Sequence, residues 1–302
     1  MLFAGVEGGA TRGSVMICDA DGVARARAES AAIVVGPAGH EDAVARILAL
    51  IETALASAGG ARPLAAVYCG LSGAGREPER AAVEALLAAS GIARAVRVTT
   101  DIDVAFVDAF ADGSGILLIA GTGSAAWGRA PDGRTARAGG WGPLAGDEGS
   151  AFAIGCAALR AALAAHDGRA PSTGLVERVL RAASVTGPAA LVRWADAAGR
   201  HGIAVLAQDV LALASTDETC AAITLRATDD LARHVDAIAR RLQPWPGTVD
   251  VALAGGLIGP GRPLRSAVEQ AIREALPAAR IDPHAIDGAR GAALLARRVG
   301  SI

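Results

Sequence analysis

The chain has 302 residues, 52% of them hydrophobic, and 29 basic side chains against 31 acidic ones give a formal net charge of −2. That balance offers nucleic acid no basic field and leaves no acidic tail, while the length calls for one large domain or two ordinary ones that fold without disulfides. All 29 basic residues are arginine, so a P-loop lysine, a pyridoxal-phosphate Schiff base and a protein-kinase strand lysine are all excluded.

No 18-residue uncharged apolar run is present, and Met1-Leu2-Phe3 leads straight into a strand, so the expectation is a cytoplasmic protein with no membrane partner. Cys18, Cys69, Cys156 and Cys220 are far apart without a CxxC pair and read as plain thiols.

Phe3 to Val6 reads as a short strand ending in Glu7-Gly8-Gly9-Ala10-Thr11-Arg12, followed by strands over Ser14 to Cys18 and Val23 to Ala28 around an Asp-Gly turn. His40 to Ala58 carries apolar residues at helical spacing. Leu64 to Cys69 is a buried strand with Ser72 in the glycine loop at its carboxyl end. A helix over Glu77 to Ser90 precedes a strand, Ala95 to Thr99, that delivers Thr100-Asp101-Ile102-Asp103, again at a carboxyl end, where open α/β sheets bind ligands. Phe106 to Gly115 is the expected hinge between domains.

Ile116 to Ala120 then repeats the opening: apolar strand, the small-residue loop Gly121-Thr122-Gly123-Ser124, a strand over Ala125 to Arg129, the turn Pro131-Asp132-Gly133 and a strand over Thr135 to Ala138. Sliding the first hairpin by 111 positions places Thr11 on Thr122 and Asp21-Gly22 on Asp132-Gly133. Gly139 to Gly142 and Gly146-Asp147-Glu148-Gly149-Ser150 follow, with Ser150 as the N-cap of a helix to about His166. The pattern from Thr173 to Leu242 is helical, broken near Gly187-Pro188, Gly199 to Gly202 and Ser215-Thr216. A buried strand, Val249 to Ala254, opens onto a third glycine loop, Gly255 to Gly259, and the closing helix is Gly288 to Val299.

These parts describe phosphoryl transfer. Two small-residue hairpin loops hold phosphates through backbone N–H groups and hydroxyls without lysine. A third glycine loop admits a flat base, and Asp101 is the expected general base. Glu7, closing the first strand beside its loop, suits a water-bound Mg²⁺. One of Asp147 and Glu148 is expected to accept from sugar hydroxyls while its neighbour points into the fold, and Trp141 offers an apolar platform.

The runs Gly5 to Arg12, Thr99-Thr100-Asp101, Gly121 to Ser124, Gly139 to Gly142 and Gly146 to Ser150 arrive in the order in which N-acetylglucosamine kinases carry them. The chain resembles that family, within the BadF/BadG/BcrA/BcrD group of the actin–Hsp70–sugar kinase superfamily. The resemblance implies an α/β fold of two ribonuclease-H-like, actin-like ATPase domains facing a central cleft: 1–110 with 286–302, and 111–285. It implies ATP with Mg²⁺, transfer to the 6-hydroxyl of an amino sugar, and a homodimer. It assigns ATP and phosphate to Gly8, Gly9, Ala10, Thr11, Arg12, Gly121, Thr122, Gly255 and Gly256, and the sugar to Ser72, Asp101, Ser124, Ala125, Gly140, Trp141, Gly142 and Asp147. Asparagine, which the family often places against the sugar, is absent from this chain. Glucosamine, N-acetylmuramic acid or another hexose therefore stay open as substrates. An ATPase activator of a radical dehydratase is the alternative on the same fold, with an iron–sulfur cluster held by cysteines.

Overall fold

The computed structural model describes residues 1–36 and 39–300, and they divide into two compact units, Met1–Gly113 with Ile286–Ile302, and Ser114–Ala285. Phe106 lies buried inside a helix that runs to Phe110, so the segment from Phe106 to Gly115 is not a loop throughout; the turn after the helix, where Ala111 has a φ of 50°, precedes the division between the units.

Unit 1 begins with β1 (Leu2–Gly8), β2 (Arg12–Asp19) and β3 (Ala24–Ala31), an antiparallel meander. Helix α1 (His40–Ser57) crosses to β4 (Leu64–Leu71), and α2 (Glu77–Ala89) crosses to β5 (Ala93–Thr100); β1, β4 and β5 are mutually parallel, giving the order β3-β2-β1-β4-β5. The burial of β4 follows from its sequence: LAAVYCGL is apolar on both faces, as a parallel strand covered on both sides must be. The edge strand β3 instead alternates, with Arg25, Arg27 and Glu29 on one face, and those charges blunt an edge that would otherwise pair with another chain. Helix α3 (Asp101–Phe110) starts where β5 ends.

Unit 2 repeats the plan with β6 (Gly115–Ala120), β7 (Ser124–Arg129) and β8 (Thr135–Gly139). Helices α4 (Ala151–His166), α5 (Leu175–Ala182), α6 (Pro188–Val205), α7 (Ala207–Leu213) and α8 (Glu218–Arg241) follow, then β9 (Val249–Ala254), α9 (Arg265–Ala275) and β10 (Ala279–Ile281). The sheet order β10-β9-β6-β7-β8 matches that of unit 1 strand for strand. Within the helical middle, α6 begins at Pro188 and kinks at Gly199, and Ser215-Thr216 separates α7 from α8.

The last helix, α10 (Gly288–Gly300), belongs to unit 1 and covers the face of its sheet that carries Phe3, Met16 and Ala66. It comes to backbone distance: a Cβ on Gly5 would lie 2.0 Å from Ala293 N, so glycine is required there. Asp108 on α3 clamps this helix by accepting from the Asp287 N–H at 2.7 Å and from Arg290 Nε at 2.5 Å. The opposite face packs Val6, Val15 and Ile17 against Ile47 and Ile51 of α1. In unit 2 the core joins Ile116, Leu118, Val251 and Leu253 to Val235 and Ile238 of α8 and Ile272 of α9.

Candidate active site

In unit 1, β4 and β5 end side by side, with Leu71 paired to Thr100, and this pairing sets the two residues that follow next to each other. Ser72 extends the sheet by donating its N–H to Gly8 O at 2.7 Å, and its hydroxyl hydrogen-bonds the Asp101 carboxylate. Asp101 is the first residue of α3; its Oδ1 accepts from Ile102 N at 3.0 Å. Burial raises its pKa above the ordinary carboxylate value despite the hydrogen bonds from Ile102 and Ser72, and the Asp103 charge adds to the rise. Capping falls to its neighbours: Thr100 Oγ1 accepts from Asp103 N at 3.2 Å, and Asp103 Oδ2 accepts from Thr100 N at 3.2 Å. Asp101 is thereby left for another task.

Glu7, next to last in β1, is half-buried, with the Ser14 hydroxyl donating to its Oε2 at 3.3 Å. Burial raises its pKa, the nearby Arg12 guanidinium opposes this, and the charges of Asp101 and Asp287 add to it. Among the described residues no group of three or more His, Cys, Asp or Glu side chains is placed to hold a metal by itself. A pair of electrostatically coupled carboxylates, Glu7 and Asp101, is the donor chemistry that fits Mg²⁺, which keeps several waters and takes the rest of its shell from substrate phosphates.

Between the last paired residues, Gly8 with Gly13 and Ala120 with Ser124, the hairpin loop of unit 1 holds four residues, Gly9 to Arg12, and that of unit 2 holds three, Gly121 to Gly123. The spacing is 112 counted from β1 and β6 and 111 counted from β2 and β7, so the one extra residue lies in the loop of unit 1. Counted back from the returning strand, Thr11 and Thr122 each stand two residues before its first paired residue, as the 111-residue spacing expects. Gly8, assigned to phosphate, is a buried strand residue whose missing side chain makes room for Leu71 and Ile33. Ala10, Thr11 and Arg12 are exposed.

Unit 2 brings its two glycine loops together. Leu257 N donates to Ala120 O at 3.0 Å, and a Cβ on Gly121 would lie 3.7 Å from Gly256 N. Gly255 has a φ of +98° with Ala120 O 2.3 Å from its Cβ position, while a Cβ on Gly256 meets nothing within 4 Å, leaving that face open to a flat ligand. The first turn of α4 fastens the phosphate loop from behind: Ala151 N donates to Gly121 O at 2.9 Å and Phe152 N to Thr122 O at 3.3 Å. With the carbonyls so occupied, the N–H groups of Thr122 and Gly123 take no backbone partner among the described residues. The residues present therefore fit a polyphosphate and a base.

The residues assigned to the sugar divide into two sets. Ser124 is buried, and its hydroxyl donates to Glu148 O at 2.6 Å. Asp147 is also buried, at a left-handed φ of 60°; Oδ1 accepts from Ser124 N at 3.3 Å, and Oδ2 accepts from Arg200. Of the two acids, Asp147 is thus the one that points into the fold and Glu148 the exposed one, 3.5 Å from His234 Nε2. The outer set is a loop: Gly140 and Gly142 are half-buried, Ala125 beneath them likewise, and Trp141 is 74% exposed with the Arg137 guanidinium 5.6 Å from its ring centre.

Arg200 and Asp287 escaped sequence reasoning. Neither lies in a motif; Arg200 is 53 residues from its partner Asp147, and the one available signal was the glycine-flanked break in the helical pattern at Gly199 to Gly202. Unit 2 also contains a cavity of about 820 Å³ between α4 and α8, lined by Glu148, Phe152, Cys156, Ile223, Arg226 and Asp230. Burial raises the thiol pKa of Cys156 and pushes that of Cys220 up to about 12, where Asp217 also opposes ionisation.

The BadF/BadG/BcrA/BcrD ATPase family model matches residues 4–296. An N-acetylmuramic acid/N-acetylglucosamine kinase of Clostridium acetobutylicum is 30% identical over 235 residues, 77% of each chain. The crystal structure of a candidate N-acetylglucosamine kinase from Chromobacterium violaceum has a TM-score of 0.78 at 29% identity, covering 97% of this chain and 98% of that one. A second candidate N-acetylglucosamine kinase, from Porphyromonas gingivalis, shares the fold with a TM-score of 0.69 at 16% identity over 99% of both chains.

Proposed function

We propose that this chain, which belongs to the BadF/BadG/BcrA/BcrD ATPase family, is an ATP-dependent amino-sugar kinase that phosphorylates the 6-hydroxyl of N-acetylglucosamine or a close relative. The observation that carries the reading is Asp101: a carboxylate at the carboxyl end of β5, the parallel strand at the edge of the unit 1 sheet, relieved of capping by Asp103 and held by the Ser72 hydroxyl. Relatives named for N-acetylglucosamine and N-acetylmuramic acid support the substrate class.

Asp101 takes the proton of the attacking hydroxyl as the bond to phosphorus forms, and its desolvated carboxylate is a stronger base than one in water. Thr122, Gly121 and the open N–H groups of that loop hold phosphate oxygens, with Gly255 and Gly256 against the base; Gly9, Ala10, Thr11 and Arg12 do the same from unit 1. Magnesium, when bound, neutralises charge on the phosphates, and Glu7 is the residue that fits its water shell. The outer loop of Gly140, Trp141 and Gly142, with Ala125, contacts the sugar. The working species is taken to be a homodimer in the cytoplasm, the first of which sedimentation of the purified chain checks.

Coupled ADP release from Mg-ATP, measured in parallel with N-acetylglucosamine, N-acetylmuramic acid, glucosamine and glucose, tests the reading. The expected result is turnover with at least one N-acetylated sugar at a kcat/KM ten or more times that for glucose. Turnover with none of the four overturns it.

A further inference from the structure

Arg200 is the residue that the assignments so far leave without a task. It follows Gly199, whose φ of 61° and ψ of −174° interrupt α6. Its guanidinium reaches the phosphate loop of unit 2: Nη2 donates to Asp147 Oδ2 and lies 2.1 Å from where a Cβ on Gly123 would be. Asp147 is nearly closed off, with 4% of its side chain exposed, whereas Arg200 keeps 41%. One guanidinium nitrogen is thus pinned by a buried acid, and Nε and Nη1 take no hydrogen-bond partner among the described residues. Beside it are the open N–H groups of Thr122 and Gly123. A guanidinium, two open backbone donors and a threonine hydroxyl on one loop form a site for a multiply charged oxyanion.

We infer that Arg200 is a catalytic residue, carrying charge on the phosphoryl group as it is transferred, and that Asp147 is the residue that positions it. The inference rests on the kinase reading above. In the step concerned, a bond forms between the sugar 6-oxygen and the γ-phosphorus, and the bond from that phosphorus to the β,γ-bridging oxygen breaks. The hydroxyl proton passes to Asp101, and the bridging oxygen leaves with its electron pair on ADP. Arg200 forms no covalent bond; its N–H groups meet oxygens whose charge is greatest during the transfer, which raises kcat more than it tightens ground-state binding. In a chain without lysine, an arginine is the cation that this loop has available.

The test uses the full chain and the sugar that the wild type turns over best, so failure of the kinase reading shows first, as a wild type with no turnover. Arg200→Gln is expected to lower kcat at least 100-fold with the KM for sugar changed less than threefold. Arg200→Lys is expected to recover part of the loss, and millimolar guanidinium added to Arg200→Ala to restore measurable turnover. Titration with ADP, sugar and aluminium fluoride is expected to show tight ternary binding by the wild type that Arg200→Gln loses while ADP alone still binds. Melting curves of each variant distinguish unfolding from loss of function. A kcat kept within fivefold overturns the inference, as does a rise confined to the KM for sugar, which would assign Arg200 to the acceptor instead.

Discussion

The two units share one strand order and differ most at the carboxyl end of the fifth strand. In unit 1, β5 ends at Thr100 and Asp101 follows; in unit 2, β10 ends at Ile281 and Asp282 follows. Burial tends to raise both carboxyl pKa values, but only at Asp101 does burial prevail. Asp282 accepts from His284 N at 2.8 Å and contacts the His284 ring at 2.7 Å, and these bonds, with the Arg265 charge, hold it below the ordinary range. The same backbone position is therefore a desolvated base in one half and a satisfied turn acid in the other. A duplicated fold supplies two equivalent places for chemistry, and local hydrogen bonding decides which one is used.

Asparagine substitution at the two sites gives the largest expected contrast. Asp101→Asn removes the base and is expected to lower kcat by roughly 10²–10⁴-fold, while Asp282→Asn leaves kcat within twofold. Stability moves oppositely. A carboxyl with a raised folded pKa binds more protons in the native state, so its charge costs stability as pH rises through that pKa. Asp101→Asn is expected to melt higher than wild type at pH 7, with the gap closing toward pH 4. The depressed carboxyl of Asp282 contributes stability above its unfolded pKa and loses it as pH falls through the lower folded value. Asp282→Asn is expected to melt lower than wild type at pH 7. Melting curves at the two pH values, beside steady-state rates, check all four expectations; equal rate losses at the two sites would end the distinction.

The units also differ in how closely a helix approaches the first strand. At Gly5 the backbone of α10 leaves no space for a methyl group, whereas the equivalent residue of β6 is Leu117, fully buried. Gly5→Ala forces α10 away from β1 and is expected to cost on the order of 3 kcal/mol. Leu117→Ala, which empties space, is expected to cost about 2–5 kcal/mol. Denaturant unfolding measures both.

The strand meanders, the third glycine loop and the Asp101 turn were legible in the sequence because each is a local signal: an apolar run of four to six residues, then glycine or a polar break. Ser150 as N-cap and the helical break at Gly187-Pro188 were legible for the same reason. What stayed hidden depends on contacts distant in sequence. The inward turn of Asp147 follows from Arg200, 53 residues later, and no periodicity in α6 announces that pairing. The occupation of the Ser124 hydroxyl by Glu148 O is likewise a contact across 24 residues. The extra residue in the first hairpin loop was hidden because the returning strands and the Asp-Gly turns both match at 111, and the pairing of Gly8 with Gly13 is what reveals it.

The two hairpin loops, one a residue longer than the other, give the smallest expected effect and the one most specific to the comparison. Thr122 occupies the middle of its loop, half-buried, with its carbonyl held by Phe152 N at 3.3 Å. Thr11 occupies the third of four places in its loop and is exposed. A hydroxyl fixed by its own backbone loses less freedom when it donates to a phosphate oxygen, and hydrogen bonds to charged groups contribute about 1.5–3 kcal/mol. Thr122→Val is therefore expected to raise the KM for ATP roughly tenfold. Thr11→Val keeps the backbone donors of an exposed loop, and its effect is expected to stay within about fivefold, since a solvated hydroxyl contributes less than about 1 kcal/mol net. Valine preserves the shape of threonine, so the difference reports the hydroxyl and not the packing. Equal effects would mean that the two threonines do equivalent work despite the extra residue in the first loop.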